Sequence, residues 1–156
     1  MDLSRAYRQL RIDPRDYHLL GFRHRNSLYF DIAPPFGLRL SAMMCQRSTN
    51  AVSFTFRQLG FHCTNYIDDF GGAEIPEKSD AAFHALDSLL ADLGLDTSPD
   101  KASPPATAMV YLGVLVNTDD RTVSVPRERL HELFNRCRRS YRSIKSPAPN
   151  CSLSLE

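Results

Sequence analysis

The four cysteines, Cys45, Cys63, Cys137 and Cys151, form no C-x-x-C pair, and no histidine stands at zinc-ligand spacing from any of them. That arrangement excludes the common structural zinc sites. His62 and Cys63 are neighbours, so in a strand they point to opposite faces. The thiols are expected to be reduced packing residues of an intracellular protein, cytoplasmic or nuclear. No apolar run approaches membrane-spanning length, so no membrane partner is expected. The opening Met-Asp-Leu-Ser-Arg has none of the features of a secretory signal. Internal repeats and low-complexity tracts are also lacking. Only the stretch 146–156, with Pro147 and Pro149, is expected to be a disordered tail.

A large net charge is missing too: the balance over 156 residues is +1. The distribution is uneven, however. Residues 1–50 carry eight Arg against four Asp, residues 51–100 only Arg57 and Lys78 against nine acids, and residues 101–156 nine Lys/Arg against five acids. An acidic middle between basic ends suits a metal-bearing centre flanked by polyanion-binding surfaces. Taken alone, such asymmetry more often marks ordinary solvated faces. The length fits one domain with a single core.

What is present is the stretch Asn65-Tyr66-Ile67-Asp68-Asp69-Phe70, followed by Gly71 and Gly72. It reads as a strand, a tight turn carrying Asp68 and Asp69, and a second strand. Two carboxylates at a hairpin tip repel unless a cation lies between them. Magnesium, a hard ion with oxygen ligands, suits them. With thirteen Asp in the chain, one Asp-Asp pair arises by chance roughly once. A second pair, Asp119-Asp120, has polar neighbours and reads as a solvated turn. Apolar and aromatic flanks distinguish the first.

Along the chain, Ser4 is a candidate cap for a short helix and Pro14 opens a helical turn. Leu19 to Phe22 and Leu28 to Ala33 read as strands about a turn at His24 to Ser27. After Pro34-Pro35-Phe36-Gly37, a helix is expected from Leu40 to Leu59, with Leu40, Met43, Met44, Ala51 and Phe54 on its apolar face and Gln46, Arg47 and Asn50 on its polar face. Ser79-Asp80 caps a helix lined by Phe83, Leu86, Leu90 and Leu93 and ended by Gly94. Val110 to Val116 reads as a strand, returning over Thr122 to Val125. A last helix from Pro126 carries Leu130, Leu133, Phe134, Cys137, Tyr141 and Ile144 on one side. The cations Arg136, Arg138, Arg139, Arg142 and Lys145 crowd its second half, which suits the helix dipole and equally a helix that tracks a nucleic-acid backbone. The fold class is α+β.

In this order, Asp2-Leu3-Ser4-Arg5-Ala6-Tyr7, Pro35-Phe36-Gly37-Leu38, Tyr66-Ile67-Asp68-Asp69 and Tyr111-Leu112-Gly113 resemble the motifs of a reverse transcriptase palm, over nearly the whole chain from Asp2 to about Lys145. The wording looks closest to DIRS-like or gypsy-like retrotransposon enzymes. The resemblance implies an antiparallel sheet with helices packed on one face: a palm over 1–125, the start of a thumb or connection helix over 126–145, and the tail over 146–156. It implies RNA-directed DNA polymerisation, with dNTPs joined to a primer 3′-hydroxyl on an RNA or DNA template. Asp2, Asp68 and Asp69, with the Leu3 carbonyl, would hold two Mg2+ ions about 4 Å apart, Mn2+ being the substitute. Lys101 would protonate the departing pyrophosphate; as an isolated residue it is a loop cation. Tyr7 would lie under the sugar and exclude a ribose 2′-hydroxyl; otherwise it is a core aromatic. Phe36 and Gly37 would face the template–nucleotide pair, and Tyr111, Leu112 and Gly113 would grip the primer. Fingers before Asp2, and a full thumb and RNase H after Lys145, are expected to be largely missing, leaving the rest of a polyprotein as partner. The alternative is a catalytically inactive, nucleic-acid-binding remnant.

Overall fold

The computed structural model describes residues 1–145, with side chains as far as 141. The expected tail, and the Arg142, Ile144 and Lys145 side chains, lie outside the described residues. The chain divides into two compact units, one of Met1–Ala106 and one that starts at Thr107.

The first unit runs α1 (Ala6–Gln9), a 3-10 helix (Pro14–Leu20), β1 (Gly21–His24), β2 (Ser27–Phe30), α2 (Arg39–Gln58), β3 (Cys63–Tyr66), β4 (Asp69–Gly72), α3 (Pro76–Asp92) and a 3-10 turn (Pro99–Lys101). β1 and β2 form one antiparallel hairpin about Arg25 and Asn26, exposed on all eight residues. β3 and β4 form another, with Tyr66 opposite Asp69, so that Ile67 and Asp68 are the two-residue turn. The first residues of the chain lie against this second hairpin. Asp2 bridges Asp69 and Leu3 bridges Thr97, both antiparallel. The Leu3 N–H donates to the Asp68 carbonyl at 3.0 Å and the Phe70 N–H to the Met1 carbonyl at 2.7 Å. On the other side the Ser98 N–H donates to the Asp2 carbonyl at 2.8 Å and the Ser4 N–H to the Asp96 carbonyl at 2.9 Å. Backbone hydrogen bonds thus join three segments that are remote in sequence.

One core covers this arrangement. It contains Leu3 and Ala6, Cys45, Val52 and Phe56 of α2, Cys63 and Phe70 of the hairpin, and Ala82, Leu86 and Leu90 of α3. Phe56 stacks on Phe61 at 5.3 Å between centroids. Burying a side chain of that size contributes about 2–3 kcal/mol. α3 starts at Pro76 rather than at the expected Ser79-Asp80 cap, because proline suits the first helical position. It ends before Leu93, whose side chain is exposed rather than in the core.

α2 reverses the expected orientation. Its buried residues are Ser41, Cys45, Thr49, Val52, Ser53 and Phe56, whereas Leu40, Met43, Met44, Ala51 and Phe54 are exposed, Phe54 at 63%. Small hydroxylated side chains let the helix lie close to β3, and their hydroxyls are satisfied. Ser41 donates to the Pro35 carbonyl, Thr49 to the Cys45 carbonyl and Ser53 to Asn65 Oδ1. A count of apolar positions misses a face whose polar groups are all paired. α1 also departs from expectation: Arg5, at φ 48°, precedes it, and no side chain caps it. Asp13 does cap the 3-10 helix after it, accepting from the Arg15 N–H at 3.0 Å.

The second unit contains β5 (Ala108–Tyr111), β6 (Val114–Asn117), β7 (Thr122–Ser124) and α4 (Arg127–Lys145). The strands form an antiparallel sheet in the order β5-β6-β7. The expected single strand over 110–116 is instead a hairpin, turned by Leu112 at φ 49° and Gly113 at φ 77°. Asp119 and Asp120 sit in a turn where both backbone N–H groups donate to Asn117 Oδ1, at 3.0 and 3.1 Å, as a solvated pair should. The apolar side of α4 expected from Leu130, Leu133, Phe134, Cys137 and Tyr141 is exposed. Among the described residues, no helix is long and apolar enough to cross a membrane.

Candidate active site

The site grows out of the β3–β4 turn. Ile67, a β-branched residue, sits there at φ 53°. That left-handed torsion costs on the order of 1–3 kcal/mol and persists only where surroundings hold it. α2 supplies the hold. The Ile67 N–H donates to Gln46 Oε1 at 2.7 Å, and the Cys45 thiol faces the Ile67 carbonyl at 3.8 Å. Burial, and then the charge of Asp68, push the Cys45 thiol up to about 11, so it stays protonated as the donor. It is a packing thiol and not a nucleophile.

The turn delivers Asp68, and β4 begins with Asp69. Asp2 reaches them through its bridge to Asp69. Carboxylate oxygens of Asp2, Asp68 and Asp69 all lie within 4.8 Å of one another. Asp2 is buried and the other two are half-buried. Burial is the main cause that raises the Asp69 carboxyl above the usual carboxylate range, and the negative charges of Asp2 and Asp68 and a side-chain hydrogen bond with Asp2 add to it. The Lys101 ammonium, at 68% exposure, lies 2.7 Å from Asp2 Oδ2. That hydrogen bond, followed by the Asp2 charge, raises the lysine above its ordinary value. The Met1 ammonium also acts on Asp69 and opposes its rise, so two ammonium groups face three carboxylates and leave the cluster net negative. The donor set is all oxygen, as hard divalent cations require, so these residues fit magnesium or manganese.

A cavity of about 330 Å³ opens beside the cluster, and Asp2, Leu3, Tyr7, Phe36, Asp68 and Lys101 contribute to its lining. Tyr7 and Phe36 meet edge to face, with ring centroids 4.9 Å apart. The pocket is therefore lined by both carboxylates and aromatic rings. Burial raises the Tyr7 phenol, which stays protonated near neutral pH. Gly37 follows Phe36 at φ 86°, and a Cβ there would meet nothing within 4 Å. Its torsion, not crowding, calls for glycine at this position.

Asp2, Asp68 and Asp69 thus form one cluster, while Leu3, Tyr7, Phe36 and Lys101 share the cavity beside it. Tyr111, Leu112 and Gly113 lie in the second unit, at the β5–β6 turn. Two residues were missed by sequence reasoning. Arg5 lines the same cavity. Gln46 grips the turn, and its signal was available: Gln46, Thr49, Asn50 and Ser53 recur at spacings of three and four, which is a polar stripe with something to bind.

No family model matches the chain. It is similar to Protein P of duck hepatitis B virus: 26% identical over 136 residues to that of the China strain and 27% to that of the Germany/DHBV-3 strain. These alignments take in 85% of this chain but only 17% of either viral protein. Among solved structures, a foamy viral protease-reverse transcriptase in complex with an RNA/DNA hybrid superposes with a TM-score of 0.75 at 16% identity, over 94% of this chain and 18% of that one. A second, in complex with double-stranded DNA, gives 0.73 at 13% identity, over 95% and 24%. The fold is that of a reverse transcriptase segment, mixed helix and antiparallel sheet, and the resemblance read from the motifs holds. The narrower likeness to DIRS-like or gypsy-like elements draws no support from these matches.

Proposed function

We propose that this chain is the palm of an RNA-directed DNA polymerase from a retroelement polyprotein, joining dNTPs to a primer 3′-hydroxyl on an RNA or DNA template. The observation that carries this reading is the convergence of Asp2, Asp68 and Asp69 carboxylates within 4.8 Å, from segments 66 residues apart in the chain. The solved relatives with this fold hold an RNA/DNA hybrid and double-stranded DNA, which supports a template–primer as partner.

Asp2, Asp68 and Asp69 would hold two magnesium ions, with the Leu3 carbonyl as a further oxygen ligand. When bound, such ions supply charge that activates a hydroxyl and neutralises a pyrophosphate leaving group. The chain's own residues do the rest. Tyr7 and Phe36 line the cavity with their rings in edge-to-face contact, so a sugar seated against them would meet a ring in the space a 2′-hydroxyl needs. Lys101 lines the same cavity and would donate its proton to the departing phosphate oxygen. Gly37 leaves the backbone beside Phe36 open to a base pair. Tyr111, Leu112 and Gly113 would hold the primer end, and fingers and thumb would come from the remainder of a longer protein. This chain spans less than a fifth of the viral proteins it matches.

The test is primer extension on poly-rA with magnesium, in a longer protein that carries this segment with flanking fingers and thumb. Extension is expected, and Asp68→Asn should reduce it to background. Extension that survives Asp68→Asn refutes the role of the acids. Template–primer binding with no extension by the unaltered protein favours the inactive remnant.

A further inference from the structure

We infer that Gln46 is the positioning residue of the acidic cluster: it fixes the Ile67–Asp68 turn so that Asp68 and Asp69 face Asp2. The inference deepens the polymerase reading and, for its link to metal binding, rests on it.

The geometry runs through one stripe of α2. Gln46 Oε1 accepts the Ile67 N–H at 2.7 Å, while Gln46 Nε2 donates to Asn50 Oδ1 at 2.7 Å. Asn50 Oδ1 also accepts from Asn65 Nδ2 at 2.9 Å, and the same Nδ2 donates to Thr49 Oγ1 at 2.9 Å. Ser53 closes the network by donating to Asn65 Oδ1 at 2.6 Å. Four side chains of one helix therefore hold β3 at Asn65 and the turn at Ile67. Of the four, only Gln46 reaches the turn backbone.

Ile67 needs such a hold. Its N–H has no ladder partner inside a two-residue turn, and its φ of 53° disfavours a β-branched residue. The next residue, Asp68, has the carbonyl that accepts the Leu3 N–H at 3.0 Å. A shift at Ile67 therefore loosens one of the hydrogen bonds that hold the Asp2 segment to the hairpin. Glutamine suits this task. Its amide accepts from the turn and donates to Asn50 at once, and it carries no charge to compete with the carboxylates for a cation.

The experiment compares unaltered protein, Gln46→Leu and Gln46→Glu by amide hydrogen exchange, with Mn2+ titration of the first two followed by paramagnetic broadening. Leucine conserves volume but accepts nothing. Glutamate restores the acceptor. The Ile67 and Leu3 amides of Gln46→Leu should exchange about five- to ten-fold faster, the worth of one lost hydrogen bond. Phe56 and Leu90, in the core, should not change, and Gln46→Glu should return Ile67 to its original protection. Mn2+ affinity at Asp2, Asp68 and Asp69 should fall several-fold in Gln46→Leu. Unchanged exchange at Ile67 and Leu3 would overturn the inference. So would equal acceleration at Phe56 and Leu90, which marks a general loss of stability, or undiminished Mn2+ affinity in Gln46→Leu. If the unaltered protein shows no Mn2+ broadening, the metal-site reading fails instead, and the exchange comparison still decides the role of Gln46.

Discussion

Neutralising Asp69 should stabilise the metal-free protein while removing its capacity for divalent ions. Three carboxylates with oxygens inside 4.8 Å face two ammonium groups, those of Lys101 and the Met1 N-terminus. Two unit charges about 4 Å apart repel by ~1 kcal/mol in bulk water and by ~4 kcal/mol at an effective dielectric near 20. Asp69 is half-buried, the Met1 ammonium offsets part of the field at Asp69 and Lys101 part of that at Asp2, which places the net penalty near the lower figure. Asp69→Asn keeps the shape, removes one charge and gives Asp2 a hydrogen-bond donor. We expect a gain of about 1 kcal/mol, or a rise of about 2–4 °C in Tm for a chain of this length. Melting followed by far-ultraviolet circular dichroism, in chelator at pH 7, measures it. The pH dependence has a definite sign. Because the Asp69 carboxyl is raised in the folded protein, the fold retains that proton to higher pH than the unfolded chain does. Stability therefore falls as pH rises from the ordinary carboxylate range through the raised value, and the advantage of Asp69→Asn appears over that window and vanishes below it. Saturating Mn2+ should reverse the order, since a cation that binds only the folded form at 100 times its Kd adds about 2.7 kcal/mol. A lower Tm for Asp69→Asn in chelator would refute the account of the cluster as a set of mutually repelling charges.

Two more outcomes follow from the same geometry. Tyr7→Val removes the ring that meets Phe36 at 4.9 Å and opens the cavity wall; the ratio of kcat/KM for dNTP over rNTP should fall in the longer polymerase, and an unchanged ratio would count against a steric gate. Alkylation by iodoacetamide at pH 8, mapped by mass spectrometry, should mark exposed Cys137 well before buried Cys45, whose thiol is pushed up to about 11. Early labelling of Cys45 would mean that the α2–hairpin contact opens readily.

The sequence alone was enough to mark the acidic turn. Asp68 and Asp69 between apolar residues differ from Asp119 and Asp120 between polar ones, and the contrast rests on local chemistry: the first pair sits at a hairpin joined to the core, the second in a solvated turn stitched by Asn117. Motif order also tied Asp2 to that turn, because the resemblance encodes a spatial relation that no local propensity contains. Only the tertiary structure decided how the relation is achieved, through the Met1–Ser4 segment hydrogen-bonded between the hairpin and residues 96–98. It likewise decided which side of α2 faces inward. Periodicity of apolar residues finds a stripe but not its partner, and here the inward stripe sets Ser41, Thr49 and Ser53 among Cys45, Val52 and Phe56, the three hydroxyls being paired by neighbouring carbonyls and by Asn65. Gln46 was legible as a polar residue on a helix; that it holds the torsion of Ile67 depends on a contact across 21 residues of chain, which exists only once helix and hairpin have packed.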